Sequence, residues 1–330
     1  MLRLIRMKVL ADSRLLQQYY LIAVDATGVV TFTHRHCPHC LTMTSSKTGK
    51  TLYYHPVLEA KIITAHGMAF SIETEFIENP KVIQRDGGRA RLKQDCELKA
   101  FARLAAKLKE SFPQLNICLT LDGLYAAGPV FKRCEDYGWK FIVVFKRGSM
   151  SATFDEFEAL KQLQPRNRTT FRGNGISQRF AGVNNLPYQG LALHGVECLE
   201  QKPLGEIKRF VWITNIAITA HTVVSTSNYG GRSRWNIENQ GFNMQKNGGY
   251  NLEHAYSKNP HAAKNFYLLL QIAHTINQLI EKGNLIAVDS FGSIKNLTFQ
   301  LRESLRTTAI SPPAFENLFA SSFQIRLNSS

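Results

Sequence analysis

The sequence predicts an α/β protein, a mixed sheet flanked by helices and interrupted by a β-rich insertion. Three observations carry that expectation. Residues 92–146 alternate helix, strand, helix and strand, the rhythm of parallel pairing. Apolar β-rich runs of antiparallel type come before them. Residues 147–207 then hold several Gly and Asn and few long periodic runs, before an apolar strand resumes at residues 210–219. With 330 residues, 44% of them hydrophobic, the chain has ample material for a core. Cores stop growing near about 250–300 residues, so one elaborated domain or a core with an inserted lobe is expected.

In chain order, residues 18–24 (QYYLIAV) form the first strand and run into Asp25-Ala26-Thr27-Gly28. A second run at residues 29–33 (VVTFT) makes the pair read as a hairpin with a short turn. A third strand is expected at residues 51–55 and a fourth at residues 57–64. Residues 79–91, with Asp86-Gly87-Gly88, are a turn-rich link. Residues 96–111 fit a helix, since Leu98, Phe101, Leu104, Ala105 and Leu108 recur at spacings of three and four, and Pro113 closes it. Residues 117–121 (ICLTL) are a buried-type strand ending at Asp122-Gly123. A short helix at residues 129–137 is stopped by Gly138, and residues 139–145 give another strand. After a helix at residues 154–163 the insertion reads as hairpins and loops. Residues 234–246 are helical in pattern despite Gly241, and residues 262–282 form a long apolar helix. Two more helices fit residues 293–306 and 313–323, where Phe315, Phe319 and Phe323 make a packing stripe. The expected organisation is a lead (1–17), a first part of the core (18–146), the insertion (147–207), a second part (208–282) and C-terminal helices (283–330).

Charge narrows the function. Forty Lys and Arg against 25 Asp and Glu leave a net +15, which favours a polyanionic partner. No basic amphipathic helix with a broad apolar face stands out, so nucleic acid is expected rather than a membrane surface. No apolar run approaches the ~20 residues of a membrane span, and the first ten residues lack the continuous apolar stretch of a secretory signal. Six cysteines in this length are not a disulfide framework, which points to a reducing, cytoplasmic setting.

Three acids fall where strands and helices can aim them together: Asp25, Asp122 and Glu238. Such a cluster repels itself unless cations fill it, and Mg2+ suits a few carboxylates plus water and phosphate oxygens. The same residue types also suit ordinary turn chemistry at Asp25 and Asp122, and an Arg234–Glu238 surface pair. A second cluster packs His34, His36, Cys37, His39 and Cys40 into seven positions, with His55 on the next strand. Cys37-x-x-Cys40 has zinc-knuckle spacing, His55 suits a third ligand, and His34 or His36 a fourth. A hairpin rich in Cys and His without metal is the alternative. Arg166, Arg168, Arg172 and Arg179 in the insertion suit either DNA phosphates or a solvated loop. Trp235 suits either a displaced base or core packing.

Residues 119–146 (LTLDGLYAAGPVFKRCEDYGWKFIVVFK), residues 228–254 (NYGGRSRWNIENQGFNMQKNGGYNLEH) and the opening YYLIAVDATG resemble DDE-class insertion-sequence transposases, over roughly residues 18–282. The resemblance implies a ribonuclease H-like core, three antiparallel strands and then parallel ones, with a strand-rich insertion between the second and third acids. It implies Asp25, Asp122 and Glu238 as the ligands of Mg2+ or Mn2+. It also implies cleavage at transposon ends that frees a 3′-OH, then attack of that 3′-OH on target double-stranded DNA. No covalent protein–DNA link is involved. The family signature of Tyr, Arg, Glu and Lys is met by Arg234 four before Glu238. The Lys is one late, at Lys246, because Gln245 holds its place, and Tyr229 stands three before Arg232 rather than Arg234. Arg234 and Lys246 are the expected phosphate contacts. Cutting two ends suggests a homodimer on DNA. Only about 17 residues precede the first strand, too few for a helix-turn-helix reader. The alternatives are therefore a truncated, catalytically silent DNA-binding relative and a stand-alone metal-dependent endonuclease.

Overall fold

The computed structural model describes residues 1–46, 48–79, 94–164, 167–173, 175–203, 205–257, 259–282, 294–309, 311–313 and 316. Two compact units emerge, residues 12–241 and residues 1–11 with 242–330. The chain opens on α1 (Leu2–Arg6), which belongs to the second of these.

The larger unit is α/β. Its strands are β1 (Tyr20–Phe32), β2 (Leu41–Thr44), β3 (Thr51–Ile63), β4 (Ala69–Phe76), β5 (Ile117–Leu121), β6 (Lys140–Val144), β7 (Arg168–Gly173), β8 (Ile176–Tyr188), β9 (Leu191–Gln201) and β10 (Lys208–Thr214). They form one mixed sheet in the order β2-β3-β1-β5-β6-β10-β9-β8-β7, with β4 also paired to β3. β3 pairs antiparallel with both β1 and β4, while β1, β5 and β6 are parallel neighbours. The parallel links need crossovers, and the helices provide them. α2 (Glu97–Ser111) lies between β4 and β5, and α3 (Gly128–Asp136) between β5 and β6. α4 (Ser151–Leu163) precedes the strands of the insertion, which continue the sheet because β10 pairs antiparallel with both β6 and β9.

The expected hairpin at residues 18–33 does not form. Asp25-Ala26-Thr27-Gly28 lies inside one continuous strand, β1, which β3 accompanies along its length. The partner strand outweighs the local turn preference, and the irregularity that Gly28 favours becomes a bulge between Gly28 and Val30. The expected third and fourth strands likewise fuse into β3. Pro56 within it removes a donor, but it falls between the residues that pair with β2 and those that pair with β4. β2 and β4 were not anticipated. β10 stops at Thr214, short of residue 219, where the Asn215 side chain takes over: its Oδ1 accepts from Phe141 N–H (3.0 Å) and its Nδ2 donates to Trp139 O (3.0 Å).

α2 buries Ala100, Phe101, Leu104, Ala105 and Leu108 and packs on β3 and β4, while Leu98 stays outside. Each large apolar side chain on that face contributes about 1.5–3 kcal/mol by leaving water. Gly138 sits at φ +70°, the left-handed stop that ends α3. Phe131 of α3 stacks on Phe141 of β6 at 4.8 Å.

The smaller unit is helical, with α5 (Asn243–Asn247), α6 (Pro260–Lys282) and α7 (Ile294–Thr307) beside α1. Gln245 is fully buried there: its Nε2 lies 2.7 Å from Gln271 Oε1 and 2.9 Å from His274 Nδ1. Among the described residues no helix is long and apolar enough to cross a membrane. The link at residues 80–91, Arg166, and the phenylalanine stripe at 315, 319 and 323 lie outside the described residues.

Candidate active site and metal cluster

The register of the sheet places the first two acids. β1 and β5 pair Tyr20 with Ile117 and Ala23 with Thr120, so the same register carries Asp122, one residue beyond β5, abreast of Asp25. Asp25 itself sits mid-strand, opposite Glu59 of β3. Adjacent strands lie about 4.8 Å apart, which makes Asp25 and Asp122 close neighbours at the carboxyl end of a parallel strand.

The third acid arrives on the chain that covers this face. Residues 225–242 are not the regular α-helix expected over 234–246. Two wide π-type turns, Ser225–Gly231 and Ile237–Phe242, flank a 3-10 turn, Arg232–Arg234, and Glu238 lies in the second wide turn. Close approach explains the irregular path. A Cβ on Gly231 would run into the Trp212 indole, and one on Gly230 into Ile142. Thr120 Oγ1 donates to Gly230 O at 3.3 Å, which ties the segment to β5. Further on, a Cβ on Gly241 would stand 3.2 Å from the Lys61 side chain. Wide turns let the backbone spread over the sheet where a regular helix would stand off it.

Arg234 projects from this segment onto Asp25, Nη1 to Oδ2 at 3.0 Å, with side-chain exposures of 14% and 23%. Burial is the main cause that raises the Asp25 carboxyl above its ordinary value. Arg234 and the Ala26 N–H oppose that rise, and the carboxylates of Asp122 and Glu238 reinforce it. The three acids thus share one electrostatic site. Asp122 also serves the turn that follows it, since Oδ1 accepts from Leu124 N–H at 2.8 Å. Asp122 thus caps this turn while its charge acts on Asp25.

A fourth carboxylate joins the site, and nothing in the sequence pattern marked it. Glu97 opens α2, and burial raises its pKa; the Tyr125 hydrogen bond opposes this while Asp25 and Asp122 add to it. Tyr125 is fully buried and donates to Glu97 Oε1 at 2.6 Å. Burial first, and then the Glu97 carboxylate, hold the phenol well above its usual range, so it remains a donor. A fully buried pair, Glu59 and Lys61 (3.3 Å), underlies the site from β3. Glu59 also accepts from Ser71 and Thr74, 2.5 Å each, so both of its carboxylate oxygens are hydrogen-bonded.

The insertion holds the Glu238 segment in place. Arg232 pairs with Glu200 of β9, which is 2% exposed, and lies over the Phe210 ring at 4.7 Å. Gln178 Nε2 donates to the same carboxylate (2.8 Å), and Gln178 and Asn228 exchange amide hydrogen bonds at 3.1 and 2.7 Å. Arg232 was not among the expected contacts. Trp235 is 57% exposed, so it is not a core residue, and the Arg234 guanidinium lies over its ring at 5.3 Å.

Arg168 and Arg172 alternate on edge strand β7, and Arg179 of β8 pairs opposite Thr170 between them. All three arginines are exposed on one face, and among the described residues none forms an ion pair. Lys246 of the smaller unit pairs with Glu253 at 3.1 Å. Gln245, at the position where the family signature has Lys, is buried and spoken for.

The His/Cys cluster is gathered by the β1–β2 connection and β3. Cys37, Cys40, His55 and His36 bring one donor atom each within 4.8 Å of one another. His34 turns away to Thr33. Burial lowers the His36 pKa and raises that of Cys37. Searched against family models the sequence matches none, and no curated protein matches it.

Proposed function

We propose that the protein is a DDE-class transposase with a ribonuclease H-like core, which cuts DNA at transposon ends and joins the freed 3′-OH to target DNA. The observation that carries this reading is the convergence of Asp25, Asp122 and Glu238 from a mid-strand, a parallel strand end and a covering turn. The antiparallel β4-β3-β1 set followed by parallel β5 and β6 supports it, as does the placement of β7–β9 between the second and third acids.

The donors are hard carboxylate oxygens that repel one another when ionised, which fits Mg2+ or Mn2+. When bound, the ion supplies Lewis acidity at the attacking and leaving oxygens of a phosphodiester. The chain does the rest. Asp25, Asp122 and Glu238 would hold the ion, and Arg234 balances Asp25. Trp235 offers a stacking face to an unpaired base. Arg168, Arg172 and Arg179 track phosphates, worth a salt-dependent affinity along with the overall +15 charge.

The test is magnesium-dependent nicking of supercoiled DNA by the purified chain, with Asp122→Asn beside it and a labelled end to score joining. Cutting and joining that both vanish in Asp122→Asn support the proposal. Cutting without joining favours the stand-alone endonuclease. Binding without cutting, under every metal tried, favours a silent DNA-binding relative.

A further inference from the structure

We propose that His36, Cys37, Cys40 and His55 form a four-ligand zinc site, independent of the carboxylate site. The donor atoms are already grouped as the edges of a tetrahedron. Cys37 Sγ lies 3.5 Å from Cys40 Sγ and 3.3 Å from His55 Nε2. Cys40 Sγ lies 3.2 Å from His36 Nδ1 and 3.3 Å from His55 Nε2. Zinc bonds of about 2.3 Å to sulfur and 2.0–2.1 Å to nitrogen give tetrahedral edges of about 3.6–3.8 Å, so an outward shift of a few tenths of an ångström seats the ion. The sulfurs are far too distant for a disulfide, whose S–S length is about 2.05 Å, and both cysteines are free.

The surroundings are those of a structural metal site. Cys40 is fully buried. Asn79 clamps the turn: its N–H donates to His39 O (3.2 Å), its Nδ2 donates to Cys40 O (2.9 Å), and its O accepts from His39 Nδ1 at 2.8 Å. Its Oδ1 accepts from Asp95 N–H (3.1 Å) at the start of α2. Two soft sulfurs and two imidazoles select zinc over the hard ions suited to Asp25, Asp122 and Glu238. All four ligand positions are filled by protein, so the site is closed and structural rather than catalytic. Zinc would cross-link the β1–β2 connection to β3 and, through Asn79 and Asp95, brace the α2 terminus that presents Glu97.

Elemental analysis of full-length protein purified without chelator tests this, together with the absorption spectrum after Co2+ substitution. One zinc per chain is expected, with tetrahedral cobalt bands and thiolate-to-cobalt charge transfer. Cys40→Ser should abolish binding, His36→Ala should weaken zinc retention at least tenfold, and His34→Ala and Asp122→Asn should leave one equivalent. Because binding and spectrum are read directly, nuclease activity plays no part in the outcome. Should Cys40→Ser fail to fold, His36→Ala carries the comparison. A chain that neither contains nor takes up zinc, equal retention in Cys40→Ser or His36→Ala, or a Cys37–Cys40 disulfide in protein purified under reducing conditions overturns the proposal.

Discussion

At the scale of single residues, the site is a balance between one arginine and four carboxylates. Arg234 lowers the proton affinity of Asp25, while burial and the neighbouring acids raise it. Arg234→Gln should therefore push the Asp25 pKa still higher. The expected outcome is that metal binding, followed by Mn2+-induced thermal shift, begins at higher pH in the mutant than in the parent chain. An unchanged or lower onset would mean that Arg234 does not govern Asp25. Glu97→Gln keeps a hydrogen-bond acceptor for Tyr125 but removes a charge that the site disfavours. Without metal the variant should melt higher than the parent at neutral pH, with the difference vanishing in acid where Glu97 is protonated anyway. Circular dichroism melts across pH check both the sign and the window.

At the scale of elements, the Glu238 segment depends on contact with the sheet and on the insertion. Gly231→Ala forces a methyl against Trp212, an overpacking that costs about 1–3 kcal/mol. Chemical denaturation should show that loss, and metal-dependent cutting should fall further than stability alone accounts for, because Glu238 is displaced. Parental cutting in a destabilised Gly231→Ala would separate the segment's packing from its chemistry. The β7–β8 hairpin makes a different prediction. Replacing Arg168 and Arg172 by Gln removes two expected phosphate contacts, which should flatten the salt dependence of DNA binding by about two in log–log slope. An unchanged slope would assign the face to solvent. The fold should be unaffected, since both side chains are exposed.

At the scale of the whole molecule, two sets of carboxylates pull stability in opposite directions with pH. In Asp95, Glu158 and Glu200, burial alone would raise the pKa. Hydrogen bonds and charge from Arg103, from Lys161 and Arg209, and from Arg232 with Gln178 overcome it, so all three end below their ordinary values. Their contribution is present above the unfolded-state pKa and is lost as pH falls through the folded-state values. Asp25 and Glu97 are raised, so theirs is complete below the unfolded-state pKa and lost as pH rises through the folded-state values. Without divalent metal the melting temperature should peak in mild acid and decline toward neutrality. Millimolar Mg2+ or Mn2+ should lift the neutral side and leave the acid side unchanged. A metal-independent profile would count against an ion at the acids.

The sequence by itself determined the α/β class, the strands and helices between residues 97 and 163, and the grouping of Cys37, Cys40 and His55. These are local matters: periodicity, caps and side-chain chemistry are written in neighbouring residues. Only the tertiary structure decided that Asp25-Ala26-Thr27-Gly28 continues a strand, because the partner that suppresses the turn lies some thirty residues away in β3. It likewise decided that the segment leading to Glu238 takes wide turns, with Trp212 and Ile142 excluding a Cβ at Gly231 and Gly230; that His36 rather than His34 completes the cluster; and that Glu97 and Tyr125 join the acids. Each of these rests on contacts between residues distant in the chain. Such contacts leave no periodic trace in the sequence, because what selects them is the space and charge that the folded sheet presents.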